Sequence, residues 1–419
     1  MKVLVIGGGG REHALVWKVA KSPKVKEILA APGNPGTASI PRCRNVAVAA
    51  DDVEGLTRLA TDERVDLVIV GPEVSLALGI TDRLAALGVR CFGPTRRAAE
   101  IETSKAFAKE FMIRHGIPTP RSVVVTRMPE AQHTLAGWSL PVVIKADGLA
   151  GGKGVTIARH REDALSAVRS LLEEGVLGAA GRRVLIEEFI SGEELSFIVM
   201  AAHGQVLALA DARDHKRRDD GDLGPNTGGM GAYSPVPGAD LLTSRILSEV
   251  ILPAVHGLSA EGRPYTGFLY AGLMVHEDRI SVLEFNCRLG DPETQVILPR
   301  LRSDLVALIE EAMEGRLGAA SADWDPRPAI TIVIASDGYP GNYRTGLPIT
   351  GLVGLDPEAL LFHAGTAVST HGIVTAGGRV VCIGALGDTI RDARTRAYGA
   401  ARRISFEGAF YRRDIGLVV

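Results

Sequence analysis

The chain has 419 residues, with 46% hydrophobic and 23% charged, the balance of a soluble globular protein with room for about two to four domains. A net charge of −2 excludes the broadly basic surface of a nucleic-acid binder, while local clusters of Arg and Lys leave phosphorylated substrates open. Cys43, Cys91, Cys287 and Cys382 are scattered without paired spacing, which points to reduced thiols in a cytoplasmic protein rather than to zinc or redox chemistry.

The apolar run after Met1 and Lys2 ends at Gly7, too short for a signal peptide or for the ~20 residues of a membrane span. No membrane partner is expected. From there strand and helix alternate: a strand over 2–6, a helix over 11–21, strands over 28–31 and 45–48, and a helix over 53–59. An apolar strand over 66–70, a helix over 80–87 and a strand over 89–92 follow. Apolar strands alternating with helices argue for a parallel α/β sheet, a Rossmann-like domain over residues 1–103. Thr103 or Ser104 caps a helix that ends at Gly116, and Pro118 and Pro120 mark a hinge. A strand over 142–145, a helix over 162–172, a hairpin joining 183–190 to 195–201 through Ser191-Gly192, a strand over 282–286 and a helix over 304–314 complete a middle section, 104–328. The Asp-Trp-Asp-Pro-Arg-Pro stretch at 323–328 punctuates the chain. A small C-terminal domain, 329–419, begins with a strand over 330–334 and carries a strand over 380–383 and a helix over 388–403.

Glycine is in excess, at 49 residues against a norm of ~7%. It clusters at 7–10, 148–154 and 224–231, as expected where backbone approaches a ligand closely or takes positive φ. The strand–glycine–helix order at Gly7–Gly10 suits an anion. It is not a dinucleotide fingerprint: the third glycine would fall at Glu12 or His13, and the second strand ends without an acidic residue. The loop Asp147–Gly154 follows a strand and ends Gly152-Lys153-Gly154. It lacks the Gly-Lys-Ser/Thr of a Walker loop, but a flap of this kind with Lys145 just before it suits triphosphate binding. Glu187 and Glu188 face opposite sides of their strand, so one of them can meet a ligand. Glu194 is either a ribose acceptor or a surface charge. Glu284 and Asn286 share a strand face opposite Leu283 and Phe285, and two hard oxygens there suit magnesium completed by nucleotide phosphates. Arg288 is placed to stabilise charge in phosphoryl transfer, with a buried ion pair as the competing reading for Arg288 and Asp291. The charged run 211–222 abutting the glycines of 224–231 reads as a substrate loop.

Together these pieces resemble the phosphoribosylamine–glycine ligase family of ATP-grasp enzymes. The resemblance rests on Gly9-Gly10-Arg11-Glu12-His13-Ala14-Leu15, Val70-Gly71-Pro72-Glu73, the stretch 145–150, Asp214-His215-Lys216-Arg217, 224–233, 266–274, 284–295 and Gly338-Tyr339-Pro340-Gly341, in the family's order. Gly8 and Leu289 depart mildly from it. The resemblance implies an ATP-grasp fold, α/β and α+β in several domains, with a lid over about 121–190. It implies a monomer that acts on glycine and 5-phosphoribosylamine in purine biosynthesis, with ATP and Mg2+ or Mn2+. By the same resemblance Lys105 and Lys145 contact phosphates, together with the flap residues Gly148, Gly151, Gly152, Lys153 and Gly154. Glu187 and the backbone around Phe189 hold adenine, Glu194 binds ribose, and Glu284 and Asn286 bind the metal. Gly9, Gly10, Arg11, Glu12, Asp214, Lys216, Asn226, Thr227, Gly228, Arg288 and Asp291 line the two substrate sites. Arg288 and Lys145 are the expected catalytic groups. The alternative is another ATP-grasp carboxylate–amine ligase, which would lack 214–217 and 288–295 as a set.

Overall fold

The computed structural model describes residues 1–150, 154–370 and 372–417. The strands Lys2–Gly7, Glu27–Pro32, Cys43–Asn45, Leu67–Val70 and Cys91–Phe92 form a parallel sheet in which the first lies between the second and the fourth. Val3 to Ile6 and Leu67 to Ile69 are fully buried, as strands covered on both faces must be. The third strand begins and ends earlier than the expected 45–48. Val46 still donates to Ala30 O, but Val48 then turns back onto Val46 O at 2.7 Å and leaves the ladder. The order of the strands reverses between the first and the fourth, so the loops after Gly7 and Val70 open side by side at their carboxyl ends.

The expected hairpin through Ser191-Gly192 does not form. Val184–Glu188 lies between Ser122–Val125 and Val142–Ala146 in an antiparallel sheet that also holds Val155–Ala158. Helices Met128–Ala136 and Arg161–Leu172 cover that sheet, and Val125, Leu135, Ile144, Val168 and Ile186 give it a core of its own. Glu193–Ala202 instead pairs with Gln205–Ala208 and Gly267–His276, and Arg279–Asn286 completes this second sheet. The chain passes between the sheets at Gly192. Its φ is 157°, and a Cβ there would lie 2.4 Å from Val275 O, so no side chain fits at the crossing. Ser104 caps the helix Lys105–Arg114 by accepting from Phe107 N at 3.1 Å.

A third sheet crosses residue 328. Gly231–Ser234, from the middle of the chain, pairs with Ala329–Ser336, which in turn pairs with Arg379–Leu386. A continuous helical stretch, 239–260, is long and apolar enough to span a bilayer by composition, contrary to the sequence expectation. Its Ile246, Val250, Ile251, Ala254, Val255 and Leu258 are buried in the main core, and it packs there as a core helix.

The first helix, Gly10–Val19, meets the C-terminal sheet through histidine. His363 N–H donates to His13 Nδ1 at 2.8 Å, and His363 Nδ1 lies 3.1 Å from Thr366 Oγ1. Burial, reinforced by His363, lowers His13 from 6.5 to about 3, and burial lowers His363 to about 4. Both rings are neutral when folded, while the unfolded chain takes up protons below about pH 6.5. Stability is therefore full above that pH and is lost as the pH falls towards 4 and then 3. By pH 5 the loss is expected to be about 2 kcal/mol per ring. Urea unfolding at pH 7.5 and pH 5 measures it, and His13→Gln should remove about half of the difference.

Candidate functional site

The three antiparallel sheets and the carboxyl ends of the parallel one surround a cavity of about 540 Å³. One wall is cationic. Lys105 and Lys109 stand one turn apart on the capped helix, and Lys145 lies on the strand facing them. Glu187 is buried between two of these lysines, with Oε1 2.6 Å from Lys145 Nζ and Oε2 2.5 Å from Lys109 Nζ. Asp147 ties the helix start to the flap: its Oδ1 accepts from Ala106 N at 2.7 Å and from Ser104 Oγ at 3.0 Å. Burial pulls Lys109 down to about 8 although Glu187 opposes it, and burial also lowers Lys105. Two ammonium groups share the Glu187 carboxylate and Lys105 stands beside them in the same wall, a desolvated positive cluster that a polyphosphate would stabilise.

Glu284 and Asn286 face the cavity together, as their spacing predicts. Leu283 also lines it, because a bulge opposite Gly272 and Leu273 shifts the alternation at that point. Burial raises the Glu284 carboxyl, but Lys216, Lys105, Lys145 and Arg288 outweigh it, and its pKa is lowered. The Asn286 amide is best oriented with its nitrogen donating to Glu102 Oε1 at 3.0 Å, which leaves its oxygen to coordinate a cation. Among the described residues no cluster of three or more His, Cys, Asp or Glu could hold a metal. An ionised carboxylate and an amide oxygen nevertheless fit a hard divalent ion whose other ligands are phosphate oxygens and water.

Arg288 is held on both sides, with NH2 2.9 Å from Glu102 Oε1 and Nε 3.2 Å from Glu73 Oε2. Burial raises Glu73, but Arg288 and Arg11 overcome it and bring its pKa to about 2. Burial raises Glu102. Arg288 and Asp291 both sit in ion pairs, though not with each other: Asp291 Oδ2 meets Arg379 NH2 at 3.0 Å. Lys216 bridges Glu194 at 2.9 Å and Asp214 at 3.9 Å. Burial pulls Lys216 down, yet Asp214 and Glu194 more than offset it and its pKa lies well above the ordinary lysine value.

Of the residues expected from sequence, Arg11, Lys105, Lys145, Gly154, Glu187, Phe189, Glu194, Asp214, Lys216, Asn226, Thr227, Gly228, Glu284, Asn286, Arg288 and Asp291 line this one cavity. Gly9, Gly10, Glu12 and Gly148 do not. Gly9 N–H is taken by Glu12 Oε2 at 2.7 Å, so the helix start closes on its own carboxylate. A Cβ on Gly10 would meet Gln295 Nε2 at 2.7 Å, which shows how closely the loop packs away from the cleft. Gly148 N–H donates to Ala180 O, and its carbonyl accepts from Lys105. Gly151, Gly152 and Lys153 lie outside the described residues. Lys109, Glu73, Glu102 and Arg379 were missed. Lys109 carried a sequence signal in its place one helical turn after Lys105, and Glu73 in the Val70-Gly71-Pro72-Glu73 stretch; Glu102 and Arg379 carried none.

Over 99% of its length the chain is 53% identical to phosphoribosylamine–glycine ligase of Xanthomonas campestris, and it covers 97% of that protein. The chain belongs to the phosphoribosylamine–glycine ligase family. It is also 54% identical to the phosphoribosylamine–glycine ligase of Allochromatium vinosum, covering 98% of it. Family profiles match in sequence: the phosphoribosylglycinamide synthetase N domain over residues 1–102, its ATP-grasp (A) domain over 103–294 and its C domain over 329–418. Among solved structures, the phosphoribosylamine–glycine ligase of Thermotoga maritima superposes with a TM-score of 0.86 at 36% identity, covering 99% of this chain and 100% of that one. A biotin carboxylase domain from Hydrogenobacter thermophilus shares the fold at a TM-score of 0.74 and 18% identity, covering 98% of this chain and 91% of that one. The cleft is thus that of an ATP-grasp fold in this ligase family.

Proposed function

We propose that this chain joins glycine to 5-phosphoribosylamine, converting ATP to ADP and phosphate and giving glycinamide ribonucleotide for purine (IMP) biosynthesis. The observation that carries the reading is the single cleft in which a lysine cluster, a hard-oxygen pair and a doubly anchored arginine meet. Lys105 and Lys145 take the phosphates, and Glu187 sets the spacing of Lys145 and Lys109. The backbone around Phe189 and the adjoining Glu187 hold adenine, and Glu194 takes ribose. Glu284 and Asn286 hold Mg2+ or Mn2+, which neutralises phosphate charge when bound. Arg11, Asp214, Lys216, Asn226, Thr227, Gly228, Arg288 and Asp291 surround glycine and the ribosylamine. Residues 1–103, 104–328 and 329–419 serve as substrate, ATP-grasp and C-terminal domains, with a lid over about 121–190. The enzyme works as a cytoplasmic monomer on small molecules, without nucleic acid or membrane as partner.

A carboxylate is a poor electrophile because its oxygen is a poor leaving group. A glycine carboxylate oxygen attacks the γ-phosphorus, the bond to the β-bridging oxygen breaks, and glycyl phosphate and ADP form. Arg288 and the lysines stabilise the charge on the transferring group, and the cleft holds the reactants in line. The amine of phosphoribosylamine then attacks the acyl carbon, phosphate departs with its electron pair, and the ammonium nitrogen loses a proton. No covalent enzyme nucleophile is required. ADP release that needs both glycine and freshly made phosphoribosylamine tests the activity, and release with other acid–amine pairs alone would overturn it. Glycine labelled with heavy oxygen at both carboxylate positions should deliver one label to phosphate and keep one in the amide, as read by mass spectrometry. Label in AMP instead would mean an adenylate.

A further inference from the structure

The Gly338-Tyr339-Pro340-Gly341 motif has no role in the chemistry above, yet it reaches the cleft. Tyr339 Oη accepts from Gly228 N–H at 2.9 Å. On the other side of the same residue, Arg379 NH1 donates to Gly228 O at 2.6 Å. The same guanidinium donates to Asp291 O at 2.7 Å and to Asp291 Oδ2 at 3.0 Å, so one side chain joins the 226–229 loop to the 288–295 segment. Arg379 itself lines the cavity beside Gly228 and Asp291.

Both side chains are aimed by glycine. At Gly338 φ is +89°, and a Cβ would fall 1.9 Å from Asn342 O, so only glycine makes the turn that presents Tyr339. A Cβ on Gly378, the residue before Arg379, would lie 2.2 Å from Tyr339 Cδ2. The tyrosine ring therefore lies across bare backbone next to the arginine. Gly228 has no room to move towards them either: its own Cβ would stand 3.1 Å from Arg379 Cζ and 3.2 Å from Tyr339 Oη.

We infer that Tyr339 and Arg379 are positioning residues of the acceptor half of the cleft, fixing Gly228 from its N–H and its C=O and registering it against Asp291. The inference rests on the reading that 226–228 and Asp291 surround the substrates rather than the nucleotide. The lysine wall receives nothing from either residue, so the nucleotide half should be indifferent to them. A fork of two nitrogens bonded to three oxygens cannot be copied by lysine, and phenylalanine removes only the acceptor for Gly228 N–H.

Isothermal titration of the full chain with glycinamide ribonucleotide and, separately, with ADP and Mg2+ tests this. Losing these contacts should raise the Kd for glycinamide ribonucleotide about tenfold in Arg379→Lys and several-fold in Tyr339→Phe. The Kd for ADP should stay within about twofold and the thermal midpoint should hold in Tyr339→Phe. Unchanged affinity for glycinamide ribonucleotide in folded Tyr339→Phe and Arg379→Lys would overturn the inference. Equal weakening of ADP would overturn it too, since a general structural defect moves both ligands. If Arg379→Lys fails to fold, Tyr339→Phe decides alone. Failure of the wild-type chain to bind glycinamide ribonucleotide would count against the proposed function instead, which separates the two outcomes.

Discussion

Glu284→Ala is expected to reduce turnover roughly a thousandfold or more, the scale of several kcal/mol of charge stabilisation at a metal-dependent phosphoryl transfer. Glu284 is held ionised in a buried site by four surrounding cations, and no other carboxylate shares its strand face with Asn286. Removing it leaves Lys216, Lys105, Lys145 and Arg288 facing one another with less negative charge between them. The variant should therefore hold a divalent ion less well while keeping affinity for the phosphates themselves. Manganese titration followed by electron paramagnetic resonance, in the presence of ADP, reads the first effect without catalysis. The fold should survive, because Glu284 faces the cavity and Val282 and Phe285 beside it supply the packing. Near-normal turnover, with manganese bound as tightly as in the wild type, would remove Glu284 from the metal site.

What the sequence revealed of this site depended on how far apart the interacting residues lie in the chain. Glu284 and Asn286 are two residues apart on a strand, and strand geometry alone places them on one face. Lys105 and Lys109 are one helical turn apart, and the same kind of reasoning would have found Lys109. The parallel sheet was legible because its strands are short, apolar and separated by helices. The antiparallel sheet around Val184–Glu188 was not: Val184–Glu188 and Glu193–Ala202 are joined by what reads as a turn, yet each strand finds a better partner in a different sheet. Nothing local distinguishes a hairpin turn from a crossing, apart from the tight approach that Gly192 permits. Arg379 meets Asp291 from 88 positions away, and Glu73 meets Arg288 from 215. No periodicity spans such distances. The closure of Gly9 N–H by Glu12 is a subtler case: at the glycine loop and helix start, where an anion was expected, Gly9 N–H donates to the chain's own carboxylate.

Arg288 offers the second large effect, and its two neighbours make the outcome specific. Arg288→Met should lower turnover about a hundredfold to a thousandfold, the usual result of deleting a preorganised donor aimed at developing charge. It should also destabilise the fold by about 3–5 kcal/mol, because Glu73 and Glu102 lose the cation between them. Part of that loss is limited because burial already raises Glu102 and Arg288 is the main charge opposing it, so removing the arginine shifts Glu102 further towards its neutral form. Arg288→Lys separates the two roles. A single ammonium can sit between the carboxylates and recover much of the stability, but it cannot bond both of them as a fork and still face the transferring group. Urea unfolding and steady-state turnover on the same preparations decide the matter. Stability restored with turnover still depressed assigns Arg288 a part in the chemistry. Stability and turnover recovering together would make it only the counter-ion of Glu73 and Glu102.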